Sequence, residues 1–434
     1  MKIALLHFRV GFTDGVSLEM EKWKTVLERM GHEVLYVAGE FSQISGVEIP
    51  TLAMNDPTNI WIHRNAFEKL LVSDETFLKV FKDYVRRIEE ELERKVPPLD
   101  ILIVNNILSL GFNLAAAVAI SEYAKSRNIK VVGHHHDFYW ERERYSRPQS
   151  EFVVKILNRY FPPKGENFFH ITINTLAQKE LFRRKGIESL VVPNIFDFDQ
   201  PLWKIDEYNK DLRPSLGISD GDIVILHATR IVQRKAIELA LDFVECFCKL
   251  SERKVHFLLA GFPEQESQEY YRKIVEKAKK MPYTTHFVFD IVRAERFLGE
   301  KKYYSLWDMY AVADAITYTS ALEGWGNQLI EAVFSKKPLV VFEYPVFKSD
   351  IAPLGFDFIS LGDEIHYDEN ESLYKIDQAK IEKAAEKLKW LLSHPEELSK
   401  VVEKNFQIGK KHLSLEKLQQ YLTFLFNRLG LSTG

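Results

Sequence analysis

The strongest constraint in this chain is a switch of hydrophobic period that recurs along its length in two successive series. Short runs that are apolar at nearly every position are separated by longer stretches in which apolar residues return every three to four positions. A run without polar alternation is buried on both faces, as are the strands of a parallel sheet covered by helices. The first series predicts strands at Lys2–Phe8, Glu33–Ala38, Ile101–Asn105, Lys130–Gly133, Phe168–Ile173 and Leu190–Val192. Helices fall between them at Leu18–Met30, Leu114–Arg127 and Leu176–Lys185. A longer helix, Glu75–Lys95, breaks the rhythm, with Arg86/Glu90 and Arg87/Glu91 spaced for a solvated face.

The pattern stops at Pro193-Asn194 and stays irregular to about Gly221 before it resumes. The second series predicts strands at Ile223–Ala228, Val255–Ala260, His286–Phe289, Ala315–Thr319, Leu339–Phe342 and Phe358–Leu361. Its helices are Lys235–Leu250, Gln268–Lys280, Tyr304–Val312 and Gln328–Lys336. The fold class is therefore α/β, with two Rossmann-like doubly wound domains facing a central cleft, residues 1–200 and 201–412. The last helix, within about 413–434, carries Leu418, Tyr421, Leu422, Leu425 and Phe426 on one face and is expected to dock on the first domain.

Composition narrows the function classes. The 434 residues suit two or three domains at about 100–200 residues each. A net charge of −4 argues against a nucleic-acid binder, which shows a basic domain or stripe. No apolar run approaches the roughly 20 residues of a membrane-spanning helix. Met1–Phe8 lacks the length and cleavage site of a secretion signal, so a cytoplasmic protein is expected. Cys246 and Cys248 sit two apart on a helix and point to different faces, which suits packing rather than a bond or a metal. The sequence is compatible with a homo-oligomer.

Chemistry in doubly wound sheets collects where strands give way to helices. Ser320-Ala321-Leu322-Glu323-Gly324-Trp325-Gly326-Asn327 follows a strand and opens a helix that carries Glu331. Glycines there permit close backbone approach, and amides at a helix N-terminus bind anions. Two acidic acceptors flanking such amides suit a sugar nucleotide, with hydroxyls at its ends and phosphates between; the blander reading is a helix start with an incidental glutamate. Arg230 and Lys235 follow another strand, where two fixed cations would hold a diphosphate and stabilise its charge as it leaves. A solvated basic cluster is the alternative.

Together these segments resemble the family 4 (group 1 type) glycosyltransferases of the GT-B fold. Glu323 and Glu331 match the family's Glu-x7-Glu motif, and Arg230 with Lys235 match its diphosphate-binding Arg and Lys. The resemblance implies a retaining hexosyl transfer from a nucleotide diphosphate sugar (UDP-, GDP- or ADP-hexose) to a hydroxyl acceptor; with no basic amphipathic face for a membrane, a small polar acceptor, a sugar or sugar acid, is expected. Donor binding is expected in the second domain and acceptor binding in the first; no metal or other cofactor is expected to be required, because the one Asp-x-Asp pattern, Asp197-Phe198-Asp199, falls in the linker. Glu331 would take the ribose hydroxyls; Glu323 and the loop Gly324, Trp325, Gly326 and Asn327 would face the donor sugar and phosphates.

Three further segments carry expectations. His134-His135-His136-Asp137 ends a strand where the family places a histidine facing the reacting sugar; His136 fits the usual spacing best, with His135 the alternative. On an extended chain His134 and His136 share a side that His135 does not, so those two with Asp137 also admit a metal-dependent hydrolase. The N-terminal turn Arg9–Glu19 holds Gly15-Val16 where the family has paired glycines, and Gly15 is carried as donor-binding. Asp197-Phe198-Asp199 mimics a metal–diphosphate motif but falls in the linker. Asn105, Asn106, Asn113, Asp137, Arg142 and Arg144 are the candidates for a polar or anionic acceptor, and the segment through Arg144 resembles transferases that make small compatible-solute glycosides. A sugar-nucleotide epimerase of the same architecture is the remaining rival.

Overall fold

A computed structural model of the chain describes residues 1–12 and 14–431. Thr13, inside the N-terminal turn singled out above, and residues 432–434 of the C-terminal segment lie outside the described residues. The chain divides into two compact units, one formed by Met1–Ile195 with the segment from Leu415, the other by Phe196–Ser414.

The first unit is built on a seven-stranded parallel sheet in the order β3-β2-β1-β4-β5-β6-β7. Its strands are β1 Lys2–Val10, β2 Glu33–Phe41, β3 Val47–Glu48, β4 Ile101–Asn105, β5 Lys130–His135, β6 Phe168–Thr172 and β7 Leu190–Val191. The winding reverses between β1 and β4, and ligands bind beyond the carboxyl ends of strands at such a switch point. Register places Asn105 of β4 beside His134 of β5 at that end. One face of the sheet is covered by helices Asp74–Lys95, Leu114–Ser126 and Glu151–Tyr160. The other is covered by Gly15–Arg29 and Leu415–Arg428, whose Leu418, Leu422, Leu425 and Phe426 share one core with Trp23, Val26 and Leu27.

The second unit holds a six-stranded parallel sheet, order β10-β9-β8-β14-β15-β16. Its strands are β8 Ile223–His227, β9 Val255–Leu259, β10 Thr284–Phe287, β14 Ala315–Tyr318, β15 Leu339–Val341 and β16 Ile359–Ser360. The switch point lies between β8 and β14. Two small sheets decorate it: β11 Val292–Arg293, β12 Phe297–Leu298 and β13 Lys302–Ser305, and a hairpin of β17 His366–Asp368 and β18 Leu373–Lys375. The helix expected from Tyr304 begins instead at Leu306. Tyr304 and Ser305 finish β13, and a capping box between Ser305 and Asp308 starts the helix.

Candidate active site

In the second unit the chemistry gathers beyond β8 and β14. Lys235, almost wholly buried, is ion-paired to Glu323, and Arg234 reaches the other oxygen of that carboxylate at 2.9 Å. Burial works against the Glu323 charge, but the two cations outweigh it and hold the carboxyl at about 2. For Lys235 burial is the larger influence, and it lowers the ammonium despite Glu323. Backbone bonds tie the segments together: the Ala321 amide donates to Arg234 O at 2.9 Å, and the Thr319 hydroxyl to Ala236 O at 2.9 Å. Arg230 is half-exposed and pairs instead with Glu264 beyond β9.

Glu331 sits one turn inside helix Asn327–Phe334, buried, and accepts the Tyr310 hydroxyl at 2.9 Å. Burial, then the Glu331 charge, push that phenol well above its usual range, so it stays a donor. Gly324 is exposed, whereas Trp325 is buried and its carbonyl accepts the Tyr344 hydroxyl. Gly326 has φ +137°, and a Cβ there would run into the Tyr344 hydroxyl, so the turn admits glycine alone. Gly326, the N-cap of the helix that Asn327 opens, has no side chain with which to cap it.

In the first unit three histidines meet two asparagines at the switch point. Asn105 accepts from His134 Nδ1 at 3.0 Å and from His136 Nε2 at 3.4 Å through one side-chain oxygen, while its carbonyl lies 2.8 Å from His7 Nδ1. Asn106, at φ 60°, accepts the amides of His136 and Asp137 at 2.8 and 3.3 Å. Helix Gly15–Arg29 lays Trp23 against His134, ring centroids 4.4 Å apart, and His134 in turn packs on His136 at 4.2 Å. Burial drives His136 down to about 3 and His7 to about 4, so both are neutral near pH 7.

The profile of the "Glycosyl transferases group 1" family matches residues 209–407. Mannosylglucosylglycerate synthase of Petrotoga mobilis is 42% identical over 430 residues, spanning 94% of this chain and 97% of that protein. The enzyme of the same name from Thermotoga maritima is 40% identical over 439 residues, spanning 98% and 99%. Among solved structures, the catalytic domain of starch synthase IV from Arabidopsis thaliana, bound to ADP and acarbose, superposes with a TM-score of 0.64 at 12% identity over 99% of both chains. The chain belongs to the group 1 glycosyltransferases. It is a glycosyltransferase of the GT-B fold class, and among the described residues no helix is long and apolar enough to cross a membrane.

Against this background several expectations change. His135, carried as the alternative to His136, points away from it, as the alternation along an extended chain implies. It is fully buried on the opposite face of β5, its Nε2 2.9 Å from His170 Nδ1, and His170 Nε2 meets Pro163 O at 3.0 Å. Asn113 is likewise inaccessible: it is fully buried, caps helix Leu114–Ser126 by accepting the Ala116 amide and donates to Thr51 O, so it is held inside the fold away from a ligand. Gly15 is exposed at a turn whose Val16 and Ser17 amides are already taken by Asp14, so a phosphate there would meet a carboxylate. Asp137 pairs with Arg142 at 2.8 Å, and Arg144 lies over the Phe112 ring at 4.8 Å. Among the described residues no group of three or more His, Cys, Asp or Glu side chains is arranged to hold a metal. Asp199 takes part in a turn with Asp197 and pairs with Lys410 at 2.6 Å.

Sequence reasoning missed His7, Trp23, His170, Arg234 and Tyr310. Arg234 adjoins Lys235 and could have been read with it; the others reach their partners only through sheet register or helix packing.

Proposed function

We propose that this glycosyltransferase moves a mannosyl group from a nucleotide diphosphate mannose to glucosylglycerate, giving mannosylglucosylglycerate. The observation that carries the reading is the end-to-end likeness to two enzymes of that name, at 42% and 40% identity. The second unit binds the donor and the first the acceptor. Glu331, with Tyr310 holding its carboxylate, takes the ribose hydroxyls. Arg230 and Lys235 take the diphosphate, and Glu323 with the Gly324–Asn327 loop takes the sugar. Arg144, exposed and lying over the Phe112 ring, meets the glycerate carboxylate.

The bond from the sugar's anomeric carbon to phosphate breaks, a bond to the acceptor oxygen forms on the same face, and the acceptor proton leaves with the phosphate. The cations beside the departing diphosphate stabilise the charge that develops there. No metal is required, since Lys235 and Arg230 occupy the role a divalent ion plays elsewhere. Turnover in excess EDTA is expected to equal the untreated rate; loss restored by Mg²⁺ or Mn²⁺ would refute this. Donor base is resolved by thermal shift with GDP, UDP and ADP, because at equal concentration the tighter ligand raises the melting temperature more. An epimer formed from donor alone would overturn the transferase assignment.

A further inference from the structure

Two asparagines at consecutive positions hold the histidine turn by different means: Asn106 grips its backbone and Asn105 its rings. The ring contacts have a chemical consequence. An amide oxygen only accepts, so His134 Nδ1 and His136 Nε2 must both be the protonated nitrogens of their rings. The orientation of the Asn105 amide is set by its nitrogen, which donates to Leu6 O at 3.5 Å; turned over, two oxygens would face each other there. The Asn105 carbonyl fixes His7 the same way, with Nδ1 as donor. Among the described residues nothing hydrogen-bonds to Nδ1 of His136.

We propose that Asn105 is a positioning residue that selects the Nε2–H tautomer of His136, leaving Nδ1 as a bare acceptor for a substrate hydroxyl. The hydroxyl must then donate, and a group that only accepts is rejected at this position. In a neutral imidazole one nitrogen donates and the other accepts, so the partner of one decides the chemistry of the other. That the hydroxyl belongs to a sugar rests on the transferase reading above; the tautomer does not.

The test is a long-range proton–nitrogen NMR spectrum of protein labelled with ¹⁵N-histidine, the His136 signals identified by their loss in His136→Gln. The wild-type ring is expected as the Nε2–H tautomer at pH 7. A ring found as Nδ1–H, or averaged between the two, overturns the proposal without any variant of Asn105. Asn105→Asp keeps the acceptor toward His136 while losing the donor toward Leu6 O, and should retain the tautomer, whereas Asn105→Leu should release it. With donor and acceptor present, Asn105→Leu should lose about tenfold to a hundredfold in kcat/KM, the range seen when the partner that orients a metal-bound histidine is removed, with Asn105→Asp recovering most of it. Equal loss in both variants would make Asn105 merely structural. Absence of mannosyl transfer with the tautomer intact would refute the transferase substrate and leave the tautomer assignment standing.

Discussion

Lys235 and Glu323 are each almost shut off from solvent, so each depends on the other for its charge. Diphosphate binding would offer Lys235 a second anion, and the pair makes that residue the most sensitive single position in the donor half. Lys235→Ala is expected to lower kcat/KM by about 10²–10³, with an unchanged far-UV circular dichroism spectrum. A near-normal rate would remove Lys235 from the mechanism. The candidate residues at this site could be named from the sequence because Glu-x7-Glu and the Arg/Lys pair are local in it. What was not legible was pairing. Nothing in the sequence says that Arg230 turns to Glu264 while Arg234 joins Lys235 on Glu323, or that Asn113 spends both ends of its amide inside the fold. Such choices are made by atoms that only the folded chain brings together.

Elements were read most reliably where burial on both faces enforces an unbroken apolar run. Ile101–Asn105 and Leu339–Val341 are such strands, and every residue in them is buried. Strands of two residues, such as β11 and β12, leave no period to detect, and the last two residues of β13 were absorbed into the helix that follows it. The Ser305/Asp308 capping box marked the true boundary. Two elements lend themselves to tests. Gly326→Ala should distort the donor loop at a cost of about 1–3 kcal/mol, raising KM for donor about tenfold with a smaller effect on kcat; an unchanged KM would show the loop to be irrelevant to donor binding. Leu422 is fully buried in the C-terminal helix, so Leu422→Ala should destabilise the first unit by about 2–5 kcal/mol in urea unfolding. A change within experimental error would mean that this helix does not belong to the core of that unit.

At the scale of the molecule, the chain passes between its units twice, after Ile195 and after Ser414, so the second unit is continuous in sequence whereas the first is completed only by the segment from Leu415. Stability as a whole should respond to acid through its buried histidines. Burial lowers His136 and His227 from 6.5 to about 3, and His7 and His170 to about 4. Between these values the unfolded chain binds protons that the folded chain refuses, so stability falls as pH drops below about 6.5, by about 1.4 kcal/mol per unit for each such group. Glu323 acts lower down: its depressed carboxyl adds stability that is lost only as pH falls from about 4.5 towards 2. The melting temperature at constant ionic strength should therefore decline between pH 7 and pH 5, and a flat profile would contradict the burial of these rings. Architecture at this scale was visible in the doubled strand–helix series, whereas the identity of the transferred sugar was not, since hydroxyl stereochemistry is read by a few side-chain positions that leave no period in the sequence. The most direct measurement is of product: purified protein incubated with glucosylglycerate and, in turn, GDP-, UDP- and ADP-mannose, followed by mass spectrometry. One of the three donors should give mannosylglucosylglycerate together with its nucleoside diphosphate in equal amount. Free mannose, an epimerised donor or an unconsumed acceptor with all three would contradict the assignment.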